Sequence, residues 1–279
     1  MHLRALVRRA ALLVALIAPA PAAAQEDKGV PVDLELVLAV DISGSIDEIE
    51  ARLQREGYVR ALGHPDVIQA IRSGMFGRIA VTYVEWANDE HQQTVIGWTL
   101  VSDLSSAQAM AGALAEAPMS SGRWTSISGA VDYAARLFDH NGYQGFRRVI
   151  DVSGDGYNNR GRPVEWARDD AVAAGITING LPIMNGRSNP WGGPPPADLD
   201  LYYEERVIGG PGAFIVVAQD FSAFASAILN KLLLEIAGNQ VAPDTGVSAR
   251  RPIGANHVSR AAWAALAGGD ARASPPSGG

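Results

Sequence analysis

No cysteine occurs among the 279 residues, which excludes disulfides, thiolate zinc sites, iron–sulfur clusters and cysteine nucleophiles together. Basic side chains are outnumbered as well: 23 Lys and Arg stand against 30 Asp and Glu, a formal charge of −7. A general binder of nucleic acid or of anionic membranes is therefore not expected. No apolar run approaches the ~20 residues that a membrane span needs. What is present is 47% apolar and 19% charged residues, the balance of a folded globular protein of one ~200-residue domain with appendages.

Residues 1–24 carry Arg4, Arg8 and Arg9, then an apolar stretch at 10–18, then Pro21-Ala22-Ala23-Ala24 before polar Gln25. That is the layout of a secretory signal peptide cleaved after Ala24. Its removal leaves a charge near −10, because the three arginines have no acid beside them. The expected product is soluble and periplasmic or secreted, with a domain at 32–238. Residues 239–279 are rich in Ala, Gly, Pro and Ser and end in Ser-Pro-Pro-Ser-Gly-Gly, which predicts a mostly disordered tail with one short helix at 257–266 around Trp263.

Near-continuous apolar runs at 34–40 and 147–153 predict strands covered on both faces. Further strands are expected at 79–86, 95–100, 176–181 and 214–217. Helical periodicity marks 46–62, 105–116, 127–138, 164–174 and 221–236, with cap or turn residues such as Asp103 and Asp220 ahead of them. The alternation implies an α/β fold with a doubly wound, mostly parallel sheet. Only 87–94 separates the second strand from the third, too little for a parallel crossover. That pair is expected to be a hairpin, with the third strand antiparallel at an edge. The helix after a reversed strand then returns to the carboxyl end of the sheet and delivers the loop 118–125 there.

Asp41-Ile-Ser43-Gly-Ser45 stands directly after the first of these strands. Alternate oxygen-bearing side chains with Gly44 in the turn can converge on one point above the strand end. The same face should receive Thr125, at a helix start, and Asp155, just past the fourth strand. Carboxylates and hydroxyls are hard donors suited to Mg²⁺, Mn²⁺ or Ca²⁺ rather than to zinc or copper. Alone, Asp-x-Ser-x-Ser also describes a turn and a helix cap, with Ser45 as the cap; the added strand and helix context is what points to an ion.

This set resembles the metal-ion-dependent adhesion site (MIDAS) of von Willebrand factor A (VWA) domains: Asp-x-Ser-x-Ser, a later Thr, and a later Asp after a strand. The resemblance extends over about 32–238, and the chain is similar to uncharacterised exported bacterial proteins with such a Rossmann-like domain. It implies hydroxyl ligands from Ser43, Ser45 and Thr125, with Asp41 and Asp155 holding the ion directly or through water. It also implies an open position for an Asp or Glu of a protein partner. One departure is local: Gly122 and Thr125 are three apart with Trp124 between them, where many members have a spacing of two, which leaves Ser126 as an alternative ligand.

The resemblance implies a non-enzymatic binding module. A metal-dependent phosphatase or hydrolase is the competing class, yet position 43, where aspartyl phosphatases present a general acid, is Ser. No Gly-x-Ser-x-Gly elbow occurs, and no histidine lies in a segment expected near Ser43 or Ser45. A scaffold with a vestigial pocket is the third reading. Glu85 and Asp151, inside strands, are expected to be paired; Asp47 and Glu48 suit a first helical turn; Trp86, Trp98 and Trp166 are expected to pack; His64, His91 and His140 fall in turns and helix ends. The Pro-rich segment 185–198 follows the fifth strand and should emerge on the metal face, either as a mobile surface insertion or as a recognition loop with Trp191 as the contact residue for a partner.

Overall fold

A computed structural model describes residues 29–184, 186, 194–238 and 249–250. The chain runs through β1 (Val30–Val32), β2 (Glu35–Asp41), α1 (Glu48–Leu62), α2 (Pro65–Arg72), β3 (Ile79–Trp86) and β4 (Gln92–Val101). It continues through α3 (Leu104–Glu116), α4 (Ile127–Arg136), β5 (Tyr143–Gly145), β6 (Arg148–Gly154), α5 (Val164–Ala173) and β7 (Ile176–Pro182). Last come α6 (Leu199–Tyr202), which runs into a π turn (Tyr203–Val207), then β8 (Ile215–Val216), α7 (Phe224–Ala237) and β9 (Ala249–Arg250).

The main sheet has the order β4-β3-β2-β6-β7-β8-β9. Strands β3, β2, β6, β7 and β8 are parallel, and β4 returns antiparallel on β3 at the edge, as the short 87–94 connection requires. Beyond the expected hairpin, β9 pairs antiparallel with β8 at the other edge, although 249–250 fall in the stretch read as a tail. A separate small sheet joins β1 and β5 in parallel. The 257–266 helix lies outside the described residues, as does the leader.

Period-two alternation distributes β2 between two cores. Leu36, Leu38 and Val40 enter one with α1, α2, α3 and α7, while Val37 and Ala39 enter the other with α4, α5 and α6. All seven β2 residues are buried, which is why the run shows no polar alternation. The unforeseen α2 has sequence signals of its own: His64 accepts from the Asp66 N–H, Pro65 opens the first turn, and Val67, Ile68 and Ile71 are buried.

Charges inside the strands are paired, as expected. Glu85 meets Arg55 of α1, and Asp151 lies 2.6 Å from Lys231 of α7, which also reaches Glu235 at 2.6 Å. Trp86 is fully buried, and Trp98 donates its ring N–H to the Leu137 carbonyl at 2.9 Å. Between β2 and β6 the winding reverses: β2 leads leftward to β3, β6 rightward to β7. The crevice at the carboxyl ends of those two strands is where doubly wound sheets bind ligands.

Candidate functional site

β2 ends at Asp41, whose side chain is completely buried. Its Oδ1 accepts from the Ser43 N–H at 2.7 Å, which turns the chain out of the strand. Its Oδ2 has no hydrogen-bond partner. Ser43 Oγ and Ser45 Oγ lie 3.1 Å apart. The cap of α1 is Asp47, not Ser45: its carboxylate accepts from the Ile49 and Glu50 N–H groups, and Glu50 answers by accepting from the Asp47 N–H. Freed from capping, the Ser45 hydroxyl donates to Asp155 Oδ1 at 2.6 Å.

The parallel register pairs Val40 with Ser153, so Asp41 and Gly154 are neighbours and Asp155 follows at the same end. A Cβ on Gly154 would meet Asp41 Oδ2 at 2.9 Å, so glycine there leaves room for that oxygen. Thr125 arrives from α3 as expected, held by a two-way contact in which its N–H donates to Asn159 Oδ1 at 2.9 Å and its carbonyl accepts from the Asn159 N–H at 2.8 Å. Thr125 Oγ1 lies 3.4 Å from where a Cβ on Gly156 would sit, beside the Asp155 turn. Ser126 is occupied otherwise: it caps α4, accepting from the Gly129 N–H at 3.1 Å and donating to the Arg160 carbonyl at 3.0 Å.

Asp41, Ser43, Ser45, Thr125 and Asp155 therefore converge. A cavity of about 240 Å³ opens at the three hydroxyls, lined by Ser43, Gly44, Ser45, Arg123, Trp124, Thr125 and Asn159. Trp191 lies outside the described residues. Burial, and then the charge of Asp155, hold the Asp41 carboxyl well above the usual carboxylate range. Burial pushes Asp155 up to about 6, with Glu50 adding to the rise and the Ser45 hydrogen bond opposing it. Two buried carboxylates, both raised by burial and Asp41 further by the charge of Asp155, one of them with an orphaned oxygen, suit a hard cation whose charge would oppose these shifts. Among the described residues no group of three or more His, Asp or Glu could hold a metal; the donor set here is two carboxylates and three hydroxyls.

Three residues of this region were not singled out from sequence for the roles seen here. Trp124 is 59% exposed and adopts φ 65°, a backbone region that bulky side chains rarely enter; its insertion before Thr125 was the visible sign. Asn159, which clamps Thr125, and Tyr203, whose buried hydroxyl lies beside Asp41, have no motif to mark them.

Among solved structures the chain is similar to proximal thread matrix protein 1 from the mussel byssus with a zinc-occupied MIDAS motif, at 14% identity and a TM-score of 0.54, over 75% of this chain and 49% of that one. It is also similar to the pilus adhesin SpaC from Lactobacillus rhamnosus GG, at 16% identity and a TM-score of 0.53, over 77% and 31%. A von Willebrand factor type A protein from Catenulispora acidiphila matches at 13% identity and a TM-score of 0.49, over 75% and 43%. The chain thus spans half or less of the length of each. No curated protein matches it. The family model for Protein of unknown function (DUF1194) matches residues 31–240, and the chain, a mostly parallel VWA-like α/β domain, belongs to that family.

Proposed function

We propose that this chain is a divalent-cation-dependent protein-binding module, acting in adhesion or assembly outside the cytoplasm. The observation that carries the reading is the buried, unpartnered Asp41 Oδ2 in contact range of Gly154, with the hydroxyls of Ser43, Ser45 and Thr125 and the carboxylate of Asp155 around the same crevice. Asp41, Ser43, Ser45, Thr125 and Asp155 would hold Mg²⁺, Mn²⁺ or Ca²⁺. The bound cation supplies a Lewis-acid position for a carboxylate from outside. The five side chains bring only two negative charges, so an Asp or Glu of a protein partner is attracted rather than repelled. Trp124, exposed at the cavity rim, offers apolar contact next to that carboxylate, with Trp191 as a second contact.

Binding rather than catalysis is favoured by Ser43, which offers no general acid, and the pilus adhesin's shared fold agrees with it. The sequence of 1–24 supports export, and no helix among the described residues is long and apolar enough to cross a membrane. Thermal denaturation and isothermal titration with MgCl₂, MnCl₂ and CaCl₂ test the ion. With dissociation constants on the order of 10⁻⁴ to 10⁻³ M, 10 mM metal adds roughly 1.5 to 3 kcal/mol, or very roughly 3 to 12 °C in Tm. Identical melting curves with and without metal, together with no heat of binding, would remove the assignment. A pull-down from envelope extract in Mg²⁺ and in chelator tests the partner: a captured protein with equal affinity in both would contradict metal bridging.

A further inference from the structure

A second orphaned oxygen lies next to the first. Tyr203 is fully buried and its hydroxyl makes no hydrogen bond. A buried hydroxyl left unpaired costs ~1–3 kcal/mol, so phenylalanine would suit the metal-free fold better. The chain nevertheless directs this hydroxyl to one place. Tyr203 opens the π turn after α6, a widened turn that is frequent at functional positions. Beneath its ring is Gly180 of β7, where a Cβ would lie 2.6 Å from the ring Cδ1. At its tip is Gly154 of β6, where a Cβ would lie 3.0 Å from the Tyr203 hydroxyl and 2.9 Å from Asp41 Oδ2. Two glycines on adjacent strands therefore open a slot across the sheet that ends on the carboxylate.

The neighbouring tyrosines do not compete for this role. Tyr202 accepts from the Asn158 N–H at 3.2 Å, and Tyr157 donates to Asp198. Both are committed to fastening the segment after the Pro-rich loop onto the loop that holds Thr125. Only the Tyr203 hydroxyl of the three is turned to Asp41.

We propose that Tyr203 is a positioning residue of the metal centre, its hydroxyl serving as the hydrogen-bond donor that orients the Asp41 carboxylate, through Oδ2, toward the ion. This rests on the cation-binding reading above. Both oxygens close on the bare Cα side of Gly154, each without a hydrogen-bond partner, and a carboxylate oxygen that accepts one bond keeps a second lone-pair position for an ion. Partners that orient metal-binding side chains are typically worth 10- to 100-fold in affinity.

The test is Tyr203→Phe in the full chain, with calorimetric titration of Mg²⁺, Mn²⁺ and Ca²⁺ and with melting curves in chelator. The expected result is a metal-free Tm that is unchanged or raised, together with a Kd weakened about tenfold or more. If wild type binds an ion and Tyr203→Phe binds it equally well, this inference fails and the metal site stands. If Tyr203→Phe lowers the metal-free Tm, the hydroxyl has a structural role and the inference fails. If wild type binds none of the three ions, the underlying reading fails and takes this one with it.

Discussion

The Ser45 hydroxyl donates to Asp155 Oδ1 at 2.6 Å across 110 residues of sequence. This bond ties the turn after β2 to the end of β6, the two strands between which the winding of the sheet reverses. It is available because Asp47 takes the capping of α1. Had Ser45 been the cap, its oxygen would point along the helix and away from the crevice. The same bond uses the hydroxyl's only proton on a carboxylate, leaving its lone pairs for a cation.

Asp41→Asn is expected to separate stability from binding. The native carboxyl is strained electrostatically by burial and by Asp155, and the amide keeps its shape while removing the charge. The metal-free Tm should be unchanged or raised, and the rise in Tm on adding 10 mM Mg²⁺ should vanish. A variant that melts lower in chelator yet keeps its metal-dependent rise would contradict both halves.

Metal affinity should fall as pH drops through about 6. Asp155 is pushed up to about 6, and an ion must displace its proton. The sign for folding is opposite: an acid whose folded pKa is raised binds protons more tightly in the native state. Its contribution to metal-free stability therefore declines as pH rises from about 4 to about 6. Titrations at pH 5 and pH 7 should show weaker binding at pH 5, with proton release visible as a buffer-dependent heat.

Thr125 and Ser126 divide the labour that the sequence left open between them. Ser126→Ala removes the α4 cap and should cost ~1 kcal/mol, read by urea denaturation, with the metal-dependent Tm rise retained. Thr125→Ala should reduce that rise and change metal-free stability less. Reversal of the two phenotypes would make Ser126 the ligand.

Much of this geometry was legible because β2 is wholly buried, β6 is buried beyond Arg148 and their apolar runs announce it, and because 87–94 is too short for any connection but a hairpin. Those two facts bring 41–45, Thr125 and Asp155 to one face. What escaped has weaker local signals. β1, β5 and β9 have three residues or fewer each, too short for any period to register. Tyr203 reaches Asp41 only because Gly154 and Gly180 align on adjacent strands, a relation of register that no single segment displays. Trp124 marks itself in the sequence only by the spacing it disturbs between Gly122 and Thr125.

Lys231 should be indispensable to the fold. It sits without exposure between Asp151 and Glu235 at 2.6 Å from each, joining α7 to the middle of β6. Asp151 is raised to about 7, by burial first and then by Glu235, with Lys231 opposing. Lys231→Met leaves two buried acids facing each other and is expected to cost about 3–5 kcal/mol. The loss should be larger at pH 8 than at pH 6, because Asp151 without the opposing Lys231 charge favours protonation in the folded state still more. Equal urea midpoints for variant and wild type at pH 8 would show that the triad contributes nothing.

Trp124 offers the sharpest separation of partner binding from everything else. Its backbone is fixed by the loop on both sides: the Gly122 N–H donates to the Ile42 carbonyl at 2.8 Å, the Thr125 N–H to Asn159, and the Ser126 N–H to the Ala87 carbonyl at 2.7 Å. Between these anchors the residue must take φ 65°, at a cost of roughly 1–2 kcal/mol for an L side chain. An indole that is 59% exposed recovers little of that by burial, so the fold is served poorly and an incoming surface well. Trp124→Gly removes the strain at an entropic cost of ~0.5–1 kcal/mol; stability should hold or rise by up to about 1 kcal/mol. Metal affinity should stay within about twofold, since neither the hydroxyls nor the carboxylates move, while affinity for a metal-dependent partner should drop by at least tenfold, the scale of an aromatic contact residue. Comparison of wild type, Trp124→Gly and Trp191→Ala by surface-immobilised binding in Mg²⁺ would rank the two tryptophans. Full partner affinity in Trp124→Gly would mean that the strained indole serves the loop and not the partner.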